Sequence, residues 1–182
     1  TLFRSGPVGH RFLFVRGPVD GGLGVFKQIL LATDQLLNTL IGGMADETLS
    51  ALKAIVQSGE LNALSAERIW QELARGLVAT KPMHLFQVLL NTGAARAILP
   101  PLLTTKLAEE PFREELIAHL ALAGDGLEER CAVALMDLPA SEIRSWADCV
   151  HMPIDVRDFS EIFSDLRVLI NQYRDAPYRA VD

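Results

Sequence analysis

Cysteine, aromatic side chains and long apolar runs are all scarce in this 182-residue chain. The two cysteines, Cys131 and Cys149, stand too far apart for a Cys-x-x-Cys clip and have no nearby histidine pair, which excludes a zinc finger and a disulfide framework. Both are expected to be buried thiols of a reducing compartment. The most apolar stretch, Val25 to Ile41, is interrupted by Lys27, Gln28, Asp34, Gln35 and Asn38, and so falls short of the roughly 20 apolar residues a bilayer span requires. No membrane partner is expected. The start has neither Met nor a charged, apolar, small-residue succession, so no signal peptide is read there. Positive charge is also short, with 17 Lys and Arg against 23 Asp and Glu for a net of -6. That balance excludes binding to nucleic acid through global charge, while leaving a local basic face open.

What remains is ordinary globular material, 49% apolar and 22% charged, enough for one compact domain or two small ones. Residues 1–24 hold eight of the glycines and prolines, Gly6, Pro7, Gly9, Gly17, Pro18, Gly21, Gly22 and Gly24, around the short run Phe12 to Val15. This is loop chemistry with at most one strand. Residues 1–5, Thr-Leu-Phe-Arg-Ser, resemble the translation of a common sequencing adapter and are expected to carry no function.

From Val25 onward the apolar spacing is helical. Phe26, Ile29, Leu30, Leu37, Leu40 and Ile41 gather on one side of a helix that Gly42-Gly43 stops. Asp46 offers an N-cap to a helix with the stripe Leu49, Leu52, Ile55 and Val56, ended by Ser58-Gly59. Ser65 caps the next, where Ile69, Trp70, Leu73 and Leu77 oppose Glu67, Arg68, Gln71, Glu72 and Arg75. Pro82 starts another through Leu85, Phe86, Val88 and Leu89, closed by Asn91-Thr92-Gly93, and Pro100-Pro101 reads as a hard break. Three more helices are read over 112–122, 127–136 and 141–150, and a longer one follows Pro153 with Phe159, Ile162, Phe163, Leu166, Leu169 and Ile170 as its apolar stripe. The expectation is an all-α bundle or array of about seven or eight short helices behind an irregular N-terminal segment.

Several tracts between 45 and 102 keep a recognisable order. They are Ala45-Asp46-Glu47-Thr48-Leu49, Ser58-Gly59-Glu60-Leu61, Ser65-Ala66-Glu67-Arg68, Phe86-Gln87-Val88-Leu89, Gly93-Ala94 and Leu99-Pro100. Together they resemble the neck and body of bacterial CCA-adding tRNA nucleotidyltransferases, class II members of the polymerase-β-like superfamily. The stretch from Trp146-Ala147-Asp148 through Met152-Pro153-Ile154-Asp155-Val156 to Leu169-Ile170 is similar to the helical segment after that family's His-Asp region. Where members with a metal-dependent phosphohydrolase region have His-Asp, this chain has Met136-Asp137, and a thioether does not replace imidazole on a hard divalent ion. Asp137 is read as a solvated residue or helix-end cap.

The resemblance divides the chain into residues 1–24, an isolated helix at 25–44, a neck- and body-like RNA-binding domain at 45–102 and a degenerate tail region at 103–182. It implies a fragment of a tRNA nucleotidyltransferase, serving CCA addition to the tRNA 3′ end by positioning tRNA and bracing the nucleotide pocket in the cytoplasm. The family's catalytic motifs, Gly-Gly-x-x-Arg-Asp, Asp-x-Asp, Arg-Arg-Asp and Glu-Asp-x-x-Arg, do not occur in these 182 residues. Nucleotidyl transfer needs carboxylates to hold Mg²⁺ on the triphosphate, so this chain by itself is expected to be inactive. CTP, ATP and Mg²⁺ are expected of the full-length family and no cofactor of the fragment, whose catalytic head is a missing partner.

By the same resemblance Glu67, Arg68 and Glu72 support the nucleotide pocket, against the plainer reading of ordinary first-turn charges. Arg68, Arg75, Lys81, Arg96 and Lys106 are the candidates for tRNA phosphates, although Glu67, Glu72, Glu109 and Glu110 beside them favour solvated surface charge. Trp70 and Trp146 lie on apolar stripes and are expected in the core, and His84 and His151 have no partner at ligand or dyad spacing. Residues 25–50 also resemble a class of short phage-associated proteins, and the shared Ala45 to Leu49 tract is read as a seam, near 44–51, between two joined pieces. The alternative function is therefore a helical adaptor, or a chimeric chain, with no RNA role.

Overall fold

The computed structural model describes residues 46–174 apart from 60, 62 and 63. The N-terminal loop, the helix read over 26–41 and the proposed seam up to residue 45 lie outside the described residues. Within them the all-α expectation is met by nine helices and no strand. These are α1 Asp46–Gln57, α2 Ala66–Leu77, α3 Met83–Thr92, α4 Ala95–Ile98, α5 Pro101–Leu107, α6 Glu110–Leu122, α7 Leu127–Leu135, α8 Ala140–Val150 and α9 Ile154–Arg174.

Most boundaries follow local chemistry. α1 stops where the Ser58 hydroxyl donates to the Ile55 carbonyl at 2.8 Å and Gly59 turns left-handed at φ 80. Ser65 holds the extended N-cap conformation of α2, but its side chain makes no cap bond to the backbone. α3 closes on Gly93 at φ 83. Pro100-Pro101 does break the chain, yet Pro101 is also the first residue of α5, where its missing N–H costs nothing.

α3 sits at the centre of the first half, with Leu85, Phe86, Val88 and Leu89 all buried, and it packs on α1, α2, α4 and α5. Gly76 of α2 allows a close approach to α3, because a Cβ there would stand 3.0 Å from both Leu85 methyl carbons. In the second half α7 is enclosed, every residue from Arg130 to Met136 being buried, and it meets α2, α6 and α9. One apolar core runs from Leu52 to Val156. Polar bonds stitch its two halves: the Trp146 indole N–H donates to the Ile98 carbonyl at 2.9 Å, and the Leu102 N–H donates to the Glu142 carboxylate at 3.2 Å.

Three sequence readings are completed or corrected by the structure. The apolar stripe of α9 does not enter the core: Phe159, Ile162, Leu166, Leu169 and Ile170 are exposed, and only Phe163 is half-buried. The residues that α9 buries are Val156, Ser160, Glu161 and Ser164, because α7 and α8 approach closely enough to favour small side chains there. The Ser160 and Ser164 hydroxyls are satisfied by the Val156 and Leu138 carbonyls, and Glu161 is paired with Arg144. Second, Cys131 is buried, with burial pushing its thiol up to about 12, whereas Cys149 is exposed on the outer side of α8. Third, Asp137 is neither merely solvated nor a simple cap. It meets Arg167 at 3.0 Å and Lys106 at 3.9 Å, holding α9 and α5 to the end of α7.

Candidate nucleic-acid interface

Helix α2 positions the charges that the sequence singles out. Trp70, Leu73, Gly76 and Leu77 face inward, so Arg68, Gln71 and Arg75, spaced three and four apart, share the outer face. Arg75 is held by Glu72 one turn earlier at 2.7 Å, while Arg68 makes no ion pair among the described residues. Lys81 is exposed in the connection to α3, also without an ion pair among the described residues. Arg96 lies on α4, which packs on α3 and α5 rather than on α2. Lys106 is half-buried, 5.4 Å above the Phe112 ring and within reach of Asp137, so part of its charge is used within the fold. Arg68 and Arg75 therefore share the outer face of α2, Lys81 lies exposed in the connection that follows it, and Arg96 and Lys106 are set on other elements.

Glu67 borders the same outer face, four residues before Gln71, and is exposed. Its carboxylate meets the His151 ring Nδ1 at 2.7 Å, across 84 positions of sequence. The backbone N–H at the start of α2, then His151, then the Ser65 hydroxyl hold its carboxyl below the usual range. His151 is the C-cap of α8 and takes the left-handed conformation at φ 54, which turns the chain toward α9 and places the ring over α2. The contact gives His151 a partner that sequence spacing did not show, and it fixes the first turn of α2. His84 remains without a bond at Nδ1; burial first and Lys81 second hold its pKa below the ordinary value.

The far end of α2 is fixed by a residue that sequence reasoning passed over. Arg130 is buried and its guanidinium donates to four acceptors: the carbonyls of Leu77 at 3.0 Å, Ala79 at 2.6 Å and Gly124 at 3.0 Å, and the Asp125 carboxylate at 2.6 Å. Two of these are carbonyls at and just beyond the C-terminus of α2, where a cation is favoured. The one available signal was an arginine placed directly before the apolar run Cys131 to Met136. Trp70 is buried in the core, and Trp146 packs half-buried against it with its indole N–H on the Ile98 carbonyl. Among the described residues, no three His, Cys, Asp or Glu side chains converge to hold a metal ion, and no helix is long and apolar enough to cross a membrane.

An all-helical body with a basic stretch on one outer helix is a class of surface suited to phosphate contacts without sequence readout. Residues 43–106, which contain α1 to α4 and nearly all of α5, match the family model described as the probable RNA and SrmB-binding site of polymerase A. Over 57 residues the chain is 51% identical to the Multifunctional CCA proteins of Burkholderia cenocepacia and Burkholderia multivorans and 49% identical to that of Burkholderia ambifaria. The aligned segment is 31% of this chain and 14% of each relative. This region of the chain is related to CCA-adding enzymes, as its tracts from Ala45 to Pro100 indicated. No solved structure matches the chain.

Proposed function

We propose that this chain supplies the helical, tRNA-positioning part of a CCA-adding nucleotidyltransferase. The segment identity of 51% over 57 residues carries the reading, and the family-model match over residues 43–106 includes the helix that presents Arg68 and Arg75. The tRNA is held by its phosphates along α2 and the α2–α3 connection, and a catalytic head carries Mg²⁺, CTP and ATP. Glu67, Arg68 and Glu72 serve the nucleotide pocket indirectly: Glu67 through His151 ties the first turn of α2 to the end of α8, Glu72 steadies the Arg75 side chain on the same helix, and Arg68 is left to meet a phosphate. A cytoplasmic location goes with this role. The adaptor alternative rests on residues outside those described and is not favoured by the matches.

The test is a tRNA titration at several salt concentrations. Association is expected to be weak and salt-sensitive, and replacing both Arg68 and Arg75 by Ala should lower the slope of log affinity against log salt by about 1.5 to 2. A flat titration at low salt, or a slope unchanged in the double variant, refutes the assignment.

A further inference from the structure

A carboxylate stands at the edge of the helix face that carries Arg68. Glu67 precedes Arg68 by one position and Gln71 by four, so a phosphate approaching Arg68 also approaches an anion. The Glu67 carboxyl is held below the usual range and is ionised at neutral pH. What lies over it is the His151 ring, with Nδ1 at 2.7 Å from Oε1. Both side chains are more than half exposed, at 59% for His151 and 57% for Glu67, so the pair is open to a ligand from solvent. For the same reason it contributes little to stability. Among the described residues, the other ring nitrogen, Nε2, makes no hydrogen bond. The backbone adds a second observation. His151 stands at φ 54 and ψ 45, and no other non-glycine residue among those described takes a positive φ. Glycine ends a helix in that conformation without strain, so the turn itself does not call for an imidazole.

We propose that His151 is a phosphate-contacting residue of the RNA face: its imidazolium, seated on Glu67 through Nδ1, donates from Nε2 to a backbone phosphate beside Arg68, and RNA binding takes up one proton from solvent. The inference rests on the reading of α2 as the helix that meets the tRNA backbone. With a neutral ring the Glu67–His151 pair carries a net negative charge next to Arg68 and repels the strand. With a protonated ring the pair is neutral and keeps one N–H donor for the phosphate. The other titratable and charged groups that α2, α8 and α9 bring to this end are Arg68, Asp148, the Cys149 thiol, Asp155, Arg157 and Asp158. Arg157 meets Asp148 at 3.7 Å and Asp158 at 2.7 Å, and Asp155 accepts from the Val156 N–H at 3.0 Å, which leaves Glu67 as the carboxylate in contact with the ring. His84, beside Lys81, is held below its ordinary pKa by burial first and Lys81 second, so it does not supply the same response.

The test is a set of tRNA titrations with the 182-residue chain at about pH 6 and about pH 8, on either side of the ordinary histidine range, each at several salt concentrations. Wild type is expected to bind about fivefold more tightly at the lower pH, with a slope of log affinity against log salt steeper by about 0.7 to 0.9, one phosphate contact. His151→Gly keeps the left-handed turn, so it should retain the melting curve of wild type while losing most of the pH response. His151→Asn, also at ease in that conformation, should do the same without loosening the chain. His119→Gln, on α6, which packs on α5 and α7, should respond to pH as wild type does. Binding that is salt-sensitive but equal at the two pH values, or a pH response kept in full by both His151 variants, overturns this proposal and leaves the reading of α2 standing. Flat titrations at both pH values remove the two together.

Discussion

Replacing Arg130 by Met should be among the most damaging single changes in the protein. The thioether chain keeps most of the apolar stem volume, so the loss isolates the guanidinium. Three carbonyls, those of Leu77, Ala79 and Gly124, lose donors at 3.0 Å or less, and only Asp125, which is fully exposed, regains water at no cost. Hydrogen bonds from a charged donor contribute about 1.5 to 3 kcal/mol each, and a buried acceptor left unpaired costs about 1 to 3 kcal/mol. Water can reach Ala79 and Gly124 more readily than Leu77, which lies in the core. We therefore expect a loss of about 3 to 4 kcal/mol, which for a folded body of this size lowers the melting temperature by about 10 to 15 °C. Arg130→Lys should recover less than half of it, because a single ammonium cannot fork between α2 and Gly124. Circular dichroism melts and urea titrations measure both variants. A loss below about 1 kcal/mol in Arg130→Met would show that water replaces the guanidinium and that the C-terminus of α2 is not fixed from α7.

Gly76→Ala gains about 1 kcal/mol of helix propensity but forces a Cβ to 3.0 Å from both methyl carbons of Leu85, a side chain packed on every side. A net destabilisation of about 1 kcal/mol is expected in urea; a stabilised variant would mean that Leu85 has room to turn. Glu67 has a depressed carboxyl, so its contribution is present above the unfolded carboxylate pKa and is lost as pH falls through the lower folded value. Melts from pH 7 to pH 3 should fall less steeply in Glu67→Gln than in wild type, and coincident pH profiles would remove the contact with His151 from the account.

Helix boundaries were legible wherever one residue type suffices to stop or start a turn: Gly59, Ser65, Pro82 and Gly93 all mark the ends that sequence assigned to them. The helices α4 and α5 were not read, because four residues carry no period and Pro100-Pro101 was taken only as a stop, although proline also begins helices. That accounts for nine helices among the described residues where seven or eight were expected over the whole chain. The stripe of α9 was legible in the sequence, but not the side it faces. Periodicity reports that apolar residues share a face; it does not report which face meets the body, and here small hydroxyls do so. The pairs His151–Glu67 and Arg167–Asp137, and the Arg130 bonds to α2, depend on contacts between distant segments and leave no local pattern.

Those long-range contacts bear on the proposed role, since the family-model match ends at residue 106 while residues that hold its helix α2 lie beyond it. α2 rests on α7 and α8; its N-terminal turn is met by His151 and its C-terminal carbonyls by Arg130. The α4–α5 junction is likewise anchored by Trp146 and Glu142. Residues 43–106 cut out alone would expose Trp70, Leu73 and Leu77 on one side and leave the Leu77 and Ala79 carbonyls without a donor. The placement of Arg68 and Arg75 on the outer face of α2 is therefore a property of the joined helices. Substitutions well outside the matched segment, at Arg130 or Trp146, should weaken RNA binding in proportion to the stability they remove, whereas Arg68→Ala should weaken it with stability intact.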